Sequence, residues 1–180
     1  MAERKLPEIG LIRECVDYDS DTGAFTWRER PPHHFSSIRV QRWWNTSYAR
    51  RPAGTVRDRY VRFAIDNTMF YAHRIAWLLV YGAPVPQFLD HIDGDKLNNS
   101  IANLRPATKA QNYMNSRPRA SKSGVTGVFP KQYAQGIRFA AFIKLSGKRI
   151  HLGQFATLDE ATKARREAAD RLFGEFARHS

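Results

Sequence analysis

Residues 88–116 read FLDHIDGDKLNNSIANLRPATKAQNYMNS. Three carboxylates (Asp90, Asp93, Asp95), one histidine (His91) and several asparagines share this stretch. The pattern predicts a strand, a long polar loop, a second strand and a helix. Thr108-Lys109-Ala110-Gln111 is a capping-box sequence, so the helix is expected over Lys109–Asn115. Asp90 beside His91 on a strand, with Asn112 on the following helix, could bring one carboxylate and one amide oxygen together. Such hard oxygens suit a single Mg²⁺ or Mn²⁺ and leave positions for water and phosphate oxygens. A neutral His91 imidazole could then take a proton from an attacking water. Asp93 and Asp95 are expected to cap the loop, and Asn98 and Asn99 to hold it by bonds to backbone. A calcium loop is the rival reading, but the acidic spacing is not that of an EF-hand and no Glu closes it.

Charge points the same way. The 180 residues carry 29 Lys and Arg against 17 Asp and Glu, a net charge of +12. Residues 1–95 hold 13 basic and 12 acidic side chains, and residues 159–180 hold 5 of each. Between them, residues 96–158 hold 11 basic side chains and no carboxylate, so nearly all the excess lies in one third of the chain. Segregated positive charge interleaved with Phe129, Tyr133, Phe139 and Phe142 is what phosphate neutralisation requires. A membrane surface is the weaker fit, because the region reads as strands and not as a basic amphipathic helix. One cysteine, Cys15, excludes an internal disulfide and a Cys-rich zinc ribbon, so no structural zinc is expected. The N-terminus lacks an apolar h-region and IAWLLVYG (75–82) is too short to span a bilayer. The expected setting is the cytoplasm of a bacterium or phage-infected host.

Upstream, PEIGLIREC predicts a short helix with Leu11, Ile12 and Cys15 on one face, then a turn at DSDTG and a strand over Ala24–Arg28. Residues 29–54 read as irregular, His33 and His34 carry no argument, and the tryptophans are expected to pack. Tyr60–Ile65, a turn at Asp66-Asn67, and Met69–Ala72 form a hairpin, followed by a helix from His73 to Gly82. His73 is expected to be structural; Arg74 is open between a phosphate contact and structural pairing. Residues 117–123 read as a basic linker.

The 88–116 stretch resembles the HNH endonuclease motif of phage and intron homing type, a ββα-metal fold. Asp90-His91, Asn103 twelve residues after the histidine and Asn112 twenty-one after it fill that motif. YAHRIAWLLVYGAPVP, DYDSDTGAFTWRER and WNTSYARRPAGTV are also similar to the run-in of phage members. The resemblance implies that His91 is the general base, that Asn103 steadies the loop and the imidazole, and that Asp90 and Asn112 hold one divalent ion.

Beyond Ser123, GVTGVF, IRFAAFIKL and KRIHLGQF predict three short strands. TLDEATKARREAADRLFG predicts a capped helix with an apolar stripe of small residues. Phe139, Ala141, Ile143 and Leu145 are expected to face that helix with Ile150 and Leu152. Arg138, Ala140, Phe142 and Lys144 should face outward with Arg149 and His151. This module resembles an Apetala-two/ethylene-response-factor DNA-binding domain. The likeness implies DNA contacts from Thr126, Phe129, Lys131, Phe142, Lys144, Arg149 and His151, to which the outward alternation adds Arg138. Thr126 and Phe129 replace frequent arginines of that family, Phe142 an acidic residue and His151 a tryptophan.

The fold class expected is therefore α+β. A β-rich region at 1–72 would support an HNH module at 73–116, with the linker leading to a sheet-and-helix domain at 124–180. The expected function is a metal-dependent DNA endonuclease, a monomer that nicks double-stranded DNA. A non-catalytic DNA-binding regulator is the alternative, and RNA is the less suitable substrate for a rigid sheet face.

Overall fold

The computed structural model describes residues 5–114, 123–145 and 147–177, a mixed α+β chain. Most of the expected linker and Ser146 lie outside the described residues. The chain divides into two units, 1–106 and 107–180. No division falls between 72 and 73, because the helix there shares one core with the strands before it. The division after Pro106 leaves the helix carrying Asn112 in the second unit.

In the first unit, α1 (Ile9–Cys15) sets Ile12 and Cys15 into the core, both 0% exposed, with Leu11 packed against it. Strands β1 (Val16–Tyr18) and β2 (Phe25–Trp27) pair antiparallel around the Asp19 turn, where Asp19 Oδ1 accepts the Asp21 and Thr22 amides. A three-stranded sheet follows, in the order β3 (Thr55–Arg57), β4 (Tyr60–Ile65), β5 (Thr68–Tyr71). Asp66 and Asn67 take φ of 46° and 57°, the conformation a two-residue hairpin turn demands. α3 (Ala72–Tyr81) buries Ile75, Ala76 and Leu78 against Phe63 and Ile65, and stops at Gly82.

One expectation fails here. The supposedly irregular 29–54 segment contains an eleven-residue helix, α2 (Ile38–Tyr48). Ser37 caps it by accepting the Val40 amide, and the helix is amphipathic although none of its residues is fully buried. Side contacts hold it instead. Trp44 packs edge-on against Trp27, while Gln41 and Asn45 donate to the Arg30 carbonyl.

The last elements of the unit are β6 (Leu89–His91) and β7 (Leu104–Pro106), antiparallel, with Asp90 opposite Arg105 and His91 opposite Leu104. No described helix is long and apolar enough to cross a membrane.

The second unit opens with α4 (Lys109–Met114), whose capping box forms: Thr108 Oγ1 accepts the Gln111 amide and Gln111 Oε1 accepts the Thr108 amide. Strands β8 (Val128–Tyr133), β9 (Gly136–Leu145) and β10 (Lys148–Phe155) form an antiparallel sheet with β9 in the middle. α5 (Leu158–Phe173) packs Ala161, Ala168 and Ala169 against Val128, Ala141 and Ile143, and Thr157 and Glu160 cap it reciprocally. Alanines let helix and sheet approach closely. Ile150 shares the face of Ile143 by register but remains 38% exposed, and the register shifts between His151 and Gly153.

Candidate active site

Strands β6 and β7 are only three residues each, so the 92–103 loop between them decides what the pair can present. Asn103 is the centre of that loop. Its Oδ1 accepts the Asp93 amide at 3.0 Å, and its Nδ2 donates to Asp93 Oδ1 at 3.0 Å and to the Asn98 carbonyl at 2.9 Å. Asp93 also accepts the Asp95 amide and Asn98 Nδ2. Burial works against its charge, but the Asn98, Asp95 and Asn103 donors hold the carboxyl below its ordinary range. Asp93 therefore does cap the loop, and Asp95 does the same for the Leu97 amide.

The loop is braced from outside as well. Tyr18 Oη donates to the Asn99 carbonyl at 2.8 Å, and the Ile101 amide to the Ser20 carbonyl at 3.0 Å. Gly23, at φ +75°, lies so close that a Cβ there would strike the Ser100 nitrogen and the Asn99 carbonyl carbon. The DSDTG turn thus seats the polar loop.

His91 is buried at 4% exposure, and its Nε2 lies 3.5 Å from Asn99 Oδ1. Asn99 is itself 2% exposed, and its Nδ2 donates to the Leu97 carbonyl, which fixes which end of the amide faces the ring. Nε2 is the ring nitrogen that faces the Asn99 amide oxygen. Desolvation lowers the His91 pKa against the opposing pull of Asn99 and nearby carboxylates, so the ring is neutral at pH 7. The imidazole meets Asn99, while Asn103 holds the loop that carries Asn99.

Asp90 is 4% exposed, and its Oδ2 accepts two donors of one guanidinium: Arg105 Nε at 3.1 Å and Nη2 at 3.0 Å. This partner follows from cross-strand register and has no signature in the local sequence. His73 is a second surprise. Its ring lies 5.2 Å from His91 and within 5.6 Å of Tyr60 and Tyr71, and its buried Nδ1 has no hydrogen-bond partner. Desolvation lowers its pKa to about 3, so it is a neutral ring packed on the face of the site. Lys96 Nζ sits 4.2 Å from the Tyr60 ring centroid, which brings a cation to the same cluster. Arg74 Nη1 donates to the Pro86 and Gln87 carbonyls, a structural placement for that residue.

Asn112 stands on α4, in the second unit. In that unit register places Phe129, Lys131, Arg138, Phe142, Lys144, Arg149 and His151 on one face of the sheet. The Arg149 guanidinium lies 3.6 Å from the Phe142 ring centroid and 5.0 Å from that of Phe129. Phe142 also meets His151 at 4.9 Å. Thr126 precedes β8, outside the sheet.

Residues 70–114 match the HNH endonuclease family. The match spans both strands, the polar loop and α4. A protein of Acanthamoeba polyphaga mimivirus named as an HNH endonuclease (L560) is 34% identical over 107 residues, 58% of this chain and 54% of its own length. A prophage-derived protein of Bacillus subtilis (strain 168), named as an HNH homing endonuclease (YosQ), is 36% identical over 59 residues, 32% of this chain and 34% of its own. The chain thus spans about half the length of the first relative and a third of the second. No solved structure matches it.

Proposed function

We propose that the chain is a metal-dependent DNA endonuclease whose HNH segment hydrolyses phosphodiester bonds and whose second unit grips the duplex. The observation that carries this reading is His91: a buried neutral imidazole with Nε2 turned to Asn99, next in sequence to a carboxylate. A base needs its lone pair aimed at a water and its other nitrogen anchored. His91 takes the proton from the water while Asn99 keeps the ring from rotating. Asn103 maintains the loop that carries Asn99.

Asp90 and Asn112 would hold one Mg²⁺ or Mn²⁺. That pair comes from the family resemblance; a carboxylate and an amide oxygen are donor types that suit such an ion, and Arg105 holds the carboxylate in one orientation. Bound there, the ion supplies Lewis-acid stabilisation of the phosphate and the departing oxygen.

The second unit is read as an Apetala-two/ethylene-response-factor-like domain on the sequence likeness of residues 123–177 alone. Lys131, Arg138, Lys144 and Arg149 supply phosphate contacts, with Phe129, Phe142 and His151 between them, and Thr126 at the start of the face. A single site on a monomer nicks one strand.

Supercoiled plasmid incubated with the protein and Mg²⁺ or Mn²⁺ tests this reading. Conversion to open circles, blocked by EDTA and leaving 5′ phosphate and 3′ hydroxyl ends, is the expected result. Binding with no metal-dependent cutting would leave a DNA-binding regulator.

A further inference from the structure

We propose that Glu14, His33 and His34 form a zinc-binding site in the first unit, separate from the HNH segment. Glu14 lies on α1, and both histidines lie on the 3₁₀ turn Pro32–His34, where Pro31 and Pro32 restrict the backbone. Both imidazoles aim Nε2 at one carboxylate oxygen: His33 at 3.0 Å and His34 at 2.8 Å from Glu14 Oε2. The three donor atoms all lie within 4.8 Å of one another. Zinc holds nitrogen and oxygen ligands at about 2.0–2.2 Å in a tetrahedron, which separates the ligands by roughly 3.4 Å. The set is drawn in by hydrogen bonds, and an opening of about half an ångström admits the ion.

Two imidazoles and one carboxylate are a borderline donor set that suits zinc, whereas Mg²⁺ prefers oxygen alone. Three protein ligands leave a fourth position, which faces a cavity of about 630 Å³ also lined by Glu8 and Asp66. A water fills that position.

The surroundings account for the proton that must move. Arg30 Nε donates to His34 Nδ1 at 3.0 Å, so without metal His34 carries its proton on Nε2 and gives it to Glu14. On loading, zinc takes Nε2 and the His34 proton relocates to Nδ1, with no change in the charge of the ring. Arg30 then moves fully onto Asp66, whose Oδ1 its Nη2 already meets at 3.4 Å. Cys15 Sγ, 3.9 Å from His34 Nδ1, accepts the relocated N–H. The ion ties the proline-rich segment to α1, whose other face is core.

The test uses full-length protein stripped with chelator, with Co²⁺ as a spectroscopic probe and Zn²⁺ as competitor. Wild type and Asp90→Asn are expected to bind one Co²⁺ that shows tetrahedral d–d bands, displaced by Zn²⁺, and to melt at higher temperature with Zn²⁺. His33→Ala and Glu14→Gln are expected to lose at least tenfold in affinity and the Zn²⁺-dependent rise in melting temperature. The His33 side chain is 66% exposed, so its truncation leaves the metal-free melting temperature near wild type. Absence of both signals in wild type at about 0.1 mM Zn²⁺ would overturn the proposal, since a protective site must show there by mass action. So would binding that survives both variants and disappears in Asp90→Asn, which would put the ion in the HNH segment.

Discussion

Arg105 grips Asp90 across the β6–β7 pair with two N–H donors on a single carboxylate oxygen. The side chains are 13% and 5% exposed, so the pair is shielded from water and salt. A buried carboxylate is tolerable only with such compensation, and removing one partner strands the other.

Arg105→Ala should therefore destabilise the first unit by about 3 kcal/mol or more, the usual cost of an uncompensated buried charge. Arg105→Ala combined with Asp90→Asn should recover part of that loss. Urea unfolding of wild type and the two variants measures it; equal stability of Arg105→Ala and wild type would show that the pair contributes nothing.

Asn99→Ala should leave the fold in place while releasing His91 Nε2. Cutting should fall at least tenfold, since a mis-set general base forfeits part of the roughly 10²–10⁴ such a group supplies. Single-turnover rates with imidazole ¹⁵N shifts report rate and tautomer together, and an unchanged rate with a changed tautomer would contradict the role given to Asn99.

His73 makes stability depend on pH. Its folded pKa is lowered to about 3, below the ordinary 6.5, so between those values the unfolded chain binds a proton that the folded chain does not. Stability is complete above pH 6.5 and falls as pH drops toward 3, with a slope of at most about 1.4 kcal/mol per pH unit. His73→Phe removes this contribution. Denaturant midpoints at pH 7 and pH 5 should diverge more for wild type than for the variant, and parallel curves would refute it.

On the sheet of the second unit, Arg149→Ala should weaken DNA binding across sequences and lower the salt slope by about one counterion, as loss of one phosphate contact does. Fluorescence anisotropy at several salt concentrations reads both. An unchanged slope would remove Arg149 from the phosphate contacts.

Local signals in the sequence were enough for the hairpin at 60–71, both capping boxes, the Gly82 stop and the outward placement of Arg138 and Lys144 on β9, whereas Ala140 of the same set is 0% exposed. Each rests on residues within a few positions of one another. The α2 helix was hidden because its anchors are tertiary: Trp44 on Trp27, and Gln41 and Asn45 on the Arg30 carbonyl. Asn99 was hidden for a related reason. Its neighbour Asn98 binds the loop and it binds the ring, and nothing in Asn-Asn says which does which until the loop closes. Arg105 could have been found by pairing β6 with β7, which sets it opposite Asp90.

The most direct test of the account compares His91→Ala with wild type in plasmid cleavage and gel shift on the same DNA. Metal-dependent cutting should be lost while DNA affinity stays within about twofold, since affinity rests on phosphate contacts elsewhere. Cutting by His91→Ala at the wild-type rate would contradict it.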